Sequence, residues 1–241
     1  MLRINLWSGP RNVSTAVMYA FRQRHDTRVV DEPLYGPYLH RTGAPHPSLA
    51  GLLEVLPDDA ATVTRDVILG ECDRPVLLLK QMAHHVCGVD TSFMHACRNV
   101  LLIRDPAEVL ASIVAQIPEP TLDDIGVRQQ LHIHEELRAA GETAPVLDAR
   151  PLLVDPEGVL RELCAVLDLA WDPAMLTWPA GPKPEDGPWA PHWYENVHAS
   201  TGFGPYRPTR KPVPAPLAGV LAEAKPYYEA LAPLAITGDA A

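Results

Sequence analysis

A chain of 241 residues with 47% apolar side chains is long enough for one compact core, with room for a small cap, and too apolar for wholesale disorder. Its 30 acidic against 20 basic residues leave a formal net charge of −10, which repels nucleic acid, heparin-like polymers and anionic membranes at long range. An anionic ligand therefore has to be held by a local basic pocket, and a small molecule is the expected partner, not nucleic acid or a membrane.

The chain begins Met-Leu-Arg-Ile-Asn-Leu-Trp and then turns polar, without the apolar stretch and small-residue cleavage site of a secretory signal. No run approaches the roughly 18 apolar residues of a membrane span. Cys72, Cys87, Cys97 and Cys164 lie far apart with no CxxC spacing, which argues against a disulfide framework or a zinc site and for a reducing, cytoplasmic setting.

In chain order, short apolar runs alternate with longer amphipathic ones, the pattern of an α/β domain whose parallel β-sheet of about five strands is flanked by helices. Residues 4–7 are expected as the first strand, 14–24 as the helix after it, and 28–30 as a short second strand ending in Asp31-Glu32-Pro33. The continuous apolar runs at 75–80 and 99–103 suit strands covered on both faces. Pro106 opens a helix to about residue 116, at the turn proline favours. Helices are expected at 125–140 and 157–167, with a fifth strand at 144–147 between them. Segment 179–216 is dense in Pro, Gly and aromatics without periodicity, so it is expected as an ordered loop closing a site. A helix at 215–231 ends what is expected to be a single domain over 1–241.

Between the first strand and its helix lies Ser8-Gly9-Pro10-Arg11-Asn12-Val13-Ser14-Thr15. Strand, tight turn and helix N-terminus is the geometry in which free backbone N–H groups and the helix dipole meet an anion. Gly9 allows close backbone approach, Ser14 and Thr15 can cap the helix or donate to phosphate oxygens, and Arg11 adds a permanent forked donor. Set against G-x-x-x-x-G-K-[ST], Ser14 stands for the second glycine, Thr15 for the lysine and Ala16 for the magnesium-binding hydroxyl, which disfavours ATP or GTP hydrolysis. An ordinary helix cap remains the bland alternative.

The loop resembles the 5′-phosphosulfate loop of sulfotransferases. Pro10 and Arg11 match its first two positions and Ser14 and Thr15 its last two, while Asn12 and Val13 depart from the usual Ser-Gly. Ile103 to Ser112 (IRDPAEVLAS) is similar to the 3′-phosphate motif of that family, and Leu152 to Leu176 to a packing segment of its bacterial members. The chain is thus identified as sulfotransferase-like, and resembles a subgroup of unassigned acceptor, some members of which are fused to aminotransferase-like domains.

That resemblance implies a P-loop sulfotransferase-like fold, 3′-phosphoadenosine 5′-phosphosulfate (PAPS) as co-substrate, adenosine 3′,5′-bisphosphate as product, and a nucleotide gripped by residues 9–15, Arg104, Ser112 and Arg210. Sulfuryl transfer needs no magnesium where protein cations surround the group, so no metal is expected. Glu32, at the end of the second strand and beside Asp31, is the first candidate for the base that takes the acceptor proton. Lys80, ending an apolar strand, is placed by the family pattern near the bridging oxygen, with His84 and His85 as alternative bases. His132 and His134, two apart on a helix, face different ways and form no metal pair. His192, His198 and the loop aromatics Trp189, Trp193, Tyr194, Phe203 and Tyr206 are candidates for acceptor contact. A non-catalytic binder of phosphoadenosine nucleotides and a P-loop kinase or hydrolase are the competing functions.

Overall fold

The computed structural model describes residues 1–208 and 212–238. Its sheet holds β1 (Leu2–Ser8), β2 (Thr27–Asp31), β3 (Val76–Met82), β4 (Arg98–Ile103) and β5 (Val146–Asp148). They lie in the order β2-β3-β1-β4-β5, and every pairing is parallel. The expected α/β class and strand count hold, with strand ends shifted by at most two residues. β5 starts at Val146 because Pro145 has no N–H to give a ladder, and only its carbonyl is used, by Leu101 N at 2.9 Å. β3 runs past Lys80 to Met82, and it keeps a lysine in its buried interior for reasons given below.

The two-residue strand period sends alternate side chains to opposite faces. Ile4, Leu6, Val29, Leu78, Val100 and Leu102 pack on one face against Val17, Met18 and Phe21 of the helix Ser14–Arg22 and Val159, Leu160 and Leu163 of the helix Pro156–Val166. Trp7, Leu77, Leu79, Leu101 and Ile103 pack on the other against Ile133 and Leu137 of the helix Val127–Ala139.

Some expected elements are corrected. The helix expected at 125–140 is two, Leu122–Ile125 and Val127–Ala139, split at Gly126, whose φ of 73° is left-handed. The helix from Pro106 ends at Ile113. At the C-terminal end a 3₁₀ turn, Ala215–Leu217, precedes the helix Ala218–Leu231. Four helices were not expected: Tyr35–Thr42, Leu49–Val55, Ala60–Val63 and Ala149–Val154. The first carries Gly36-Pro37, breakers that cost little in a first turn whose N–H groups lack partners anyway. Segment 179–216 contains two one-turn helices, Ala190–Trp193 and Glu195–His198. It is tied down through Asp186, which accepts from Tyr19 Oη at 2.7 and 2.8 Å, Lys183 N at 2.7 Å and His198 Nε2 at 2.9 Å.

Candidate active site

A cavity of about 720 Å³ opens at the C-terminal ends of β1 to β4, where parallel sheets present ligand sites. Residues 10–16 form one wall, Glu32 and Lys80 the floor, Arg104 and Ser112 one end, and the segment from Trp189 to Gly204 the opposite side.

The loop after β1 leaves donors free. Val13 precedes the helix Ser14–Arg22 with no side-chain cap; within the helix the first N–H with a partner among the described residues is Val17 N, bonded to Val13 O at 3.0 Å, which leaves those of Ser14, Thr15 and Ala16 open. The preceding N–H groups and the helix dipole point to where an anion is stabilised. Arg11, in the left-handed region at φ 55°, donates from Nε to Ser112 Oγ at 3.0 Å. Arg104 Nη1 donates to Arg11 O at 2.8 Å. Burial and the neighbouring Arg104 charge lower the Arg11 pKa. Two cations held this close, with no carboxylate on Arg11 among the described residues, form a basic pocket inside an acidic protein.

Some loop residues serve differently than expected. Asn12 Nδ2 donates to Leu102 O at 2.7 Å and its Oδ1 accepts from Val13 N at 2.9 Å, so this side chain fastens the loop to β4 and has little left for a nucleotide. Gly9 does not line the cavity; a Cβ there would stand 2.3 Å from Ile125 O. The glycine is required by the turn Leu122–Ile125 lying over the loop. That turn ends at Gly126, whose hypothetical Cβ would lie 3.5 Å from both Gly9 Cα and His84 Nδ1, which sets His84 beside the loop after β1.

Arg104 is also shared. Its Nε donates to Glu108 Oε2 at 2.9 Å, one turn along the helix Pro106–Ile113, and Glu108 Oε1 accepts from Tyr206 Oη at 2.6 Å. Asp105 caps that helix by accepting from Ala107 N at 2.8 Å, which aims the helix so that Ser112 returns to the cavity.

The buried lysine explains the floor. Lys80 Nζ donates to Asp31 Oδ1 at 2.8 Å, Glu32 Oε1 at 2.6 Å and Tyr194 Oη at 2.6 Å, using all of its donors. The side chains of Lys80, Asp31 and Glu32 are 0%, 1% and 8% exposed. Tyr194 Oη donates in turn to Asp31 Oδ2 at 2.7 Å, and Gly187 N reaches the same oxygen at 3.0 Å. Burial raises the Glu32 pKa; Lys80 opposes it and Asp31 adds to it, with a net upward result. For Lys80, burial favours the neutral amine, but Asp31 and Glu32 outweigh it and hold the ammonium above its ordinary value. The Tyr194 hydroxyl is pushed well up by burial and the two carboxylates. Glu32 itself sits at φ 41°, held there by Glu32 N to Lys80 O at 2.8 Å and Tyr35 N to Glu32 O at 2.9 Å. Arg11 and Glu32 are thus both non-glycine residues in left-handed conformation, a cost of about 1–3 kcal/mol each that surrounding bonds must sustain.

His84 and His85 follow β3 in a 3₁₀ turn, Ala83–Val86. Burial drops the His84 pKa to about 4 against the pull of Asp124 and Asp123, and drops His85 well below its ordinary value. Both rings are neutral at pH 7, and Nδ1 of each is buried without a partner among the described residues. His85 is clamped between Tyr35, stacked at 4.8 Å, and Tyr38, at 4.7 Å.

Glu32, Lys80, His84, His85, residues 10–15, Arg104 and Ser112 therefore share one cavity. Arg210 lies outside the described residues. His192 and His198 do not line it: His192 is paired with Ser48 Oγ at 2.9 Å and His198 with Asp186. Of the loop aromatics, Trp189, Trp193, Tyr194 and Phe203 line it, whereas Tyr206 bonds Glu108. Sequence reasoning missed Tyr35 and Tyr38, whose three-residue spacing was a usable helix signal had Gly36-Pro37 not masked it. It also missed Glu108 and Asp124, whose roles follow from distant contacts. Among the described residues no group of His, Cys, Asp and Glu is arranged to hold a metal ion, and no helix is long and apolar enough to cross a membrane.

Comparison with known proteins adds the following. A family model described as sulfotransferase domain matches residues 2–235. Two Arabidopsis thaliana proteins, branched-chain-amino-acid aminotransferase-like proteins 1 and 2, are 37% and 36% identical over 231 residues. The match takes in 95% of this chain and 41% of each of them, so the chain spans about two fifths of their length. Among solved structures, the sulfotransferase domain of the Synechococcus PCC 7002 olefin synthase superposes with a TM-score of 0.58 at 16% identity, over 96% of this chain and 94% of that one. The sulfotransferase domain from the curacin biosynthetic pathway gives 0.54 at 14% identity, over 96% and 97%. At such identities these likenesses concern the fold alone.

Proposed function

This chain belongs to the sulfotransferase domain family, and from that premise we propose that it is a transferase moving the sulfuryl group of PAPS to a hydroxyl, phenol or amine of a small-molecule acceptor. One observation carries the reading: the loop after β1 and the Arg104/Ser112 motif, distant in sequence, meet at Arg11 Nε to Ser112 Oγ, 3.0 Å, and Arg104 Nη1 to Arg11 O, 2.8 Å, in the same cavity as the buried carboxylate Glu32.

In the proposed mechanism the unpaired N–H groups of the helix Ser14–Arg22 and Arg11 receive the 5′-phosphate, and Arg104 with Ser112 receives the 3′-phosphate. Binding there draws Arg104 from Glu108 toward a doubly charged group, a stronger charge-assisted partner. The acceptor oxygen or nitrogen forms its bond to sulfur as the sulfur–oxygen bond to the 5′-phosphate breaks, and Glu32 takes the acceptor proton. Burial suits Glu32 to this, because a carboxylate whose pKa is raised toward operating pH is a stronger base. The charge left on the phosphate falls to Arg11 and the helix N-terminus, which are in place before reaction and need no reorganisation. Lys80 has no spare donor, so it holds the two carboxylates and reaches the leaving oxygen only by releasing one of its partners. His84, neutral and beside the phosphate loop, is the alternative base. The proposed setting is the cytoplasm.

The test is calorimetry with adenosine 3′,5′-bisphosphate and turnover with PAPS. Arg11→Ala and Arg104→Ala each weaken bisphosphate binding by about 1.5–3 kcal/mol, the scale of a lost charged hydrogen bond. Glu32→Gln cuts turnover about 10²–10⁴-fold with bisphosphate affinity near that of the parent. Unchanged bisphosphate binding in both arginine variants refutes the nucleotide site. Near-parent turnover in Glu32→Gln, with loss in His84→Ala, hands the base to the histidine.

A further inference from the structure

The part of the cavity that runs from Trp189 and Tyr35 through Tyr38 to Asp124 has a consistent chemistry. Its apolar surface is aromatic: Tyr35, Tyr38, Trp189 and Trp193 line it, Tyr35 meeting Trp189 edge-on at 4.9 Å. Its charge is negative. Glu119 and Asp124 line it along with Glu32. Asp124 spends Oδ2 on Thr121 N at 2.8 Å and Thr121 Oγ1 at 2.7 Å, and its Oδ1 accepts from no described group. Glu119 is exposed and makes no described ion pair or side-chain hydrogen bond. The cations near this side are occupied: Lys80 by its three partners, and the exposed Arg41 at His85 O, 3.4 Å. Asp123, the neighbouring carboxylate, is itself paired with Arg128 and also accepts from Gln129 Nε2. His84 and His85 add no positive charge, because burial keeps both rings neutral.

Aromatic faces and uncommitted carboxylates share one preferred ligand. The ring faces attract a cation and the carboxylates pair with it. An anionic acceptor meets repulsion from the same set, and the net charge of −10 steers cations inward. Resting on the sulfotransferase reading above, we propose that the acceptor is an organic cation, an amine-bearing aromatic whose ammonium faces Asp124 and Glu119 while its nucleophile faces Glu32.

Three phenols of similar size test this: tyramine, 4-ethylphenol and 3-(4-hydroxyphenyl)propionate, titrated into the full chain with and without adenosine 3′,5′-bisphosphate. Tyramine binds tightest and the carboxylate weakest, with about a fivefold step between tyramine and 4-ethylphenol, the scale of a partly exposed ion pair. In Asp124→Asn, and separately in Glu119→Gln, which is exposed and leaves the fold alone, the tyramine-to-ethylphenol ratio falls toward one. Equal affinities for the three, tighter binding of the carboxylate, absence of tyramine binding at millimolar concentration, or an unchanged ratio in both variants overturns the proposal. Because the order is also read without nucleotide, its failure is distinct from that of the nucleotide site, which shows as absent bisphosphate binding.

Discussion

Replacing Lys80 by methionine keeps most of the side-chain volume and deletes the charge that Asp31 and Glu32 share. Lys80 gives Asp31 a bond of 2.8 Å and Glu32 one of 2.6 Å, with all three side chains nearly withdrawn from water. Without it, Asp31 still accepts from Tyr194 Oη at 2.7 Å and Gly187 N at 3.0 Å. Glu32 keeps only a long contact of 3.4 Å from the same hydroxyl. Glu32 is therefore the group left charged and unpaired, and removing one partner of a buried pair costs about 3–5 kcal/mol. The sign with pH follows from linkage. The Glu32 pKa is already raised in the fold and rises further without Lys80, so between its unfolded and folded values the native state holds more protons than the unfolded one. Stability then falls as pH rises through that window. Urea unfolding of Lys80→Met should show its largest deficit at pH 8 and a smaller one at pH 5, nearer the raised Glu32 pKa. Adding Glu32→Gln should restore part of the loss, since residues in one network are not additive. A deficit below about 1 kcal/mol at pH 8, or one that grows on acidification, refutes the assignment of Lys80 as the counter-ion of both carboxylates.

Gly9→Ala forces a methyl against Ile125 O at 2.3 Å, and should cost about 1–3 kcal/mol in denaturant unfolding and weaken bisphosphate binding by shifting the loop. The His84 pKa of about 4 lies below its ordinary 6.5, so from pH 6.5 down to 4 the unfolded chain takes up the proton and parent stability falls. His84→Asn should remove a slope worth up to about 3 kcal/mol over that window, read by urea midpoints at each pH. Transfer activity should survive EDTA, because Arg11 and the helix N-terminus are proposed to meet the charge on the phosphate. Loss on chelation that magnesium restores would move the reading toward phosphoryl transfer.

The sequence by itself determined the layering of this protein and the strand-turn-helix that carries Arg11, Ser14 and Thr15. Continuous apolar runs such as 75–80 and 99–103 suit strands covered on both faces, and a strand-turn-helix with Arg11, Ser14 and Thr15 is local geometry that neighbouring residues enforce. Arg104 and Ser112 were legible for the same reason, since Pro106 starts their helix and fixes the spacing between them. What the tertiary structure alone decided is how charges are shared. That Lys80 answers both Asp31 and Glu32 depends on β2 lying beside β3, with Asp31 opposite Lys80 in the register. That Tyr194 completes the cluster depends on a segment more than 100 residues further along folding back, a contact of sequence separation 114. Gly9 was marked for phosphate approach, whereas the fold requires it for Ile125 O; Asn12 was assigned to the nucleotide, whereas it fastens the loop to β4. The aromatic and acidic wall was invisible for the same physical reason. Tyr35, Asp124 and Trp189 carry no local signal of one another, and only burial against a common cavity gives their combination a meaning.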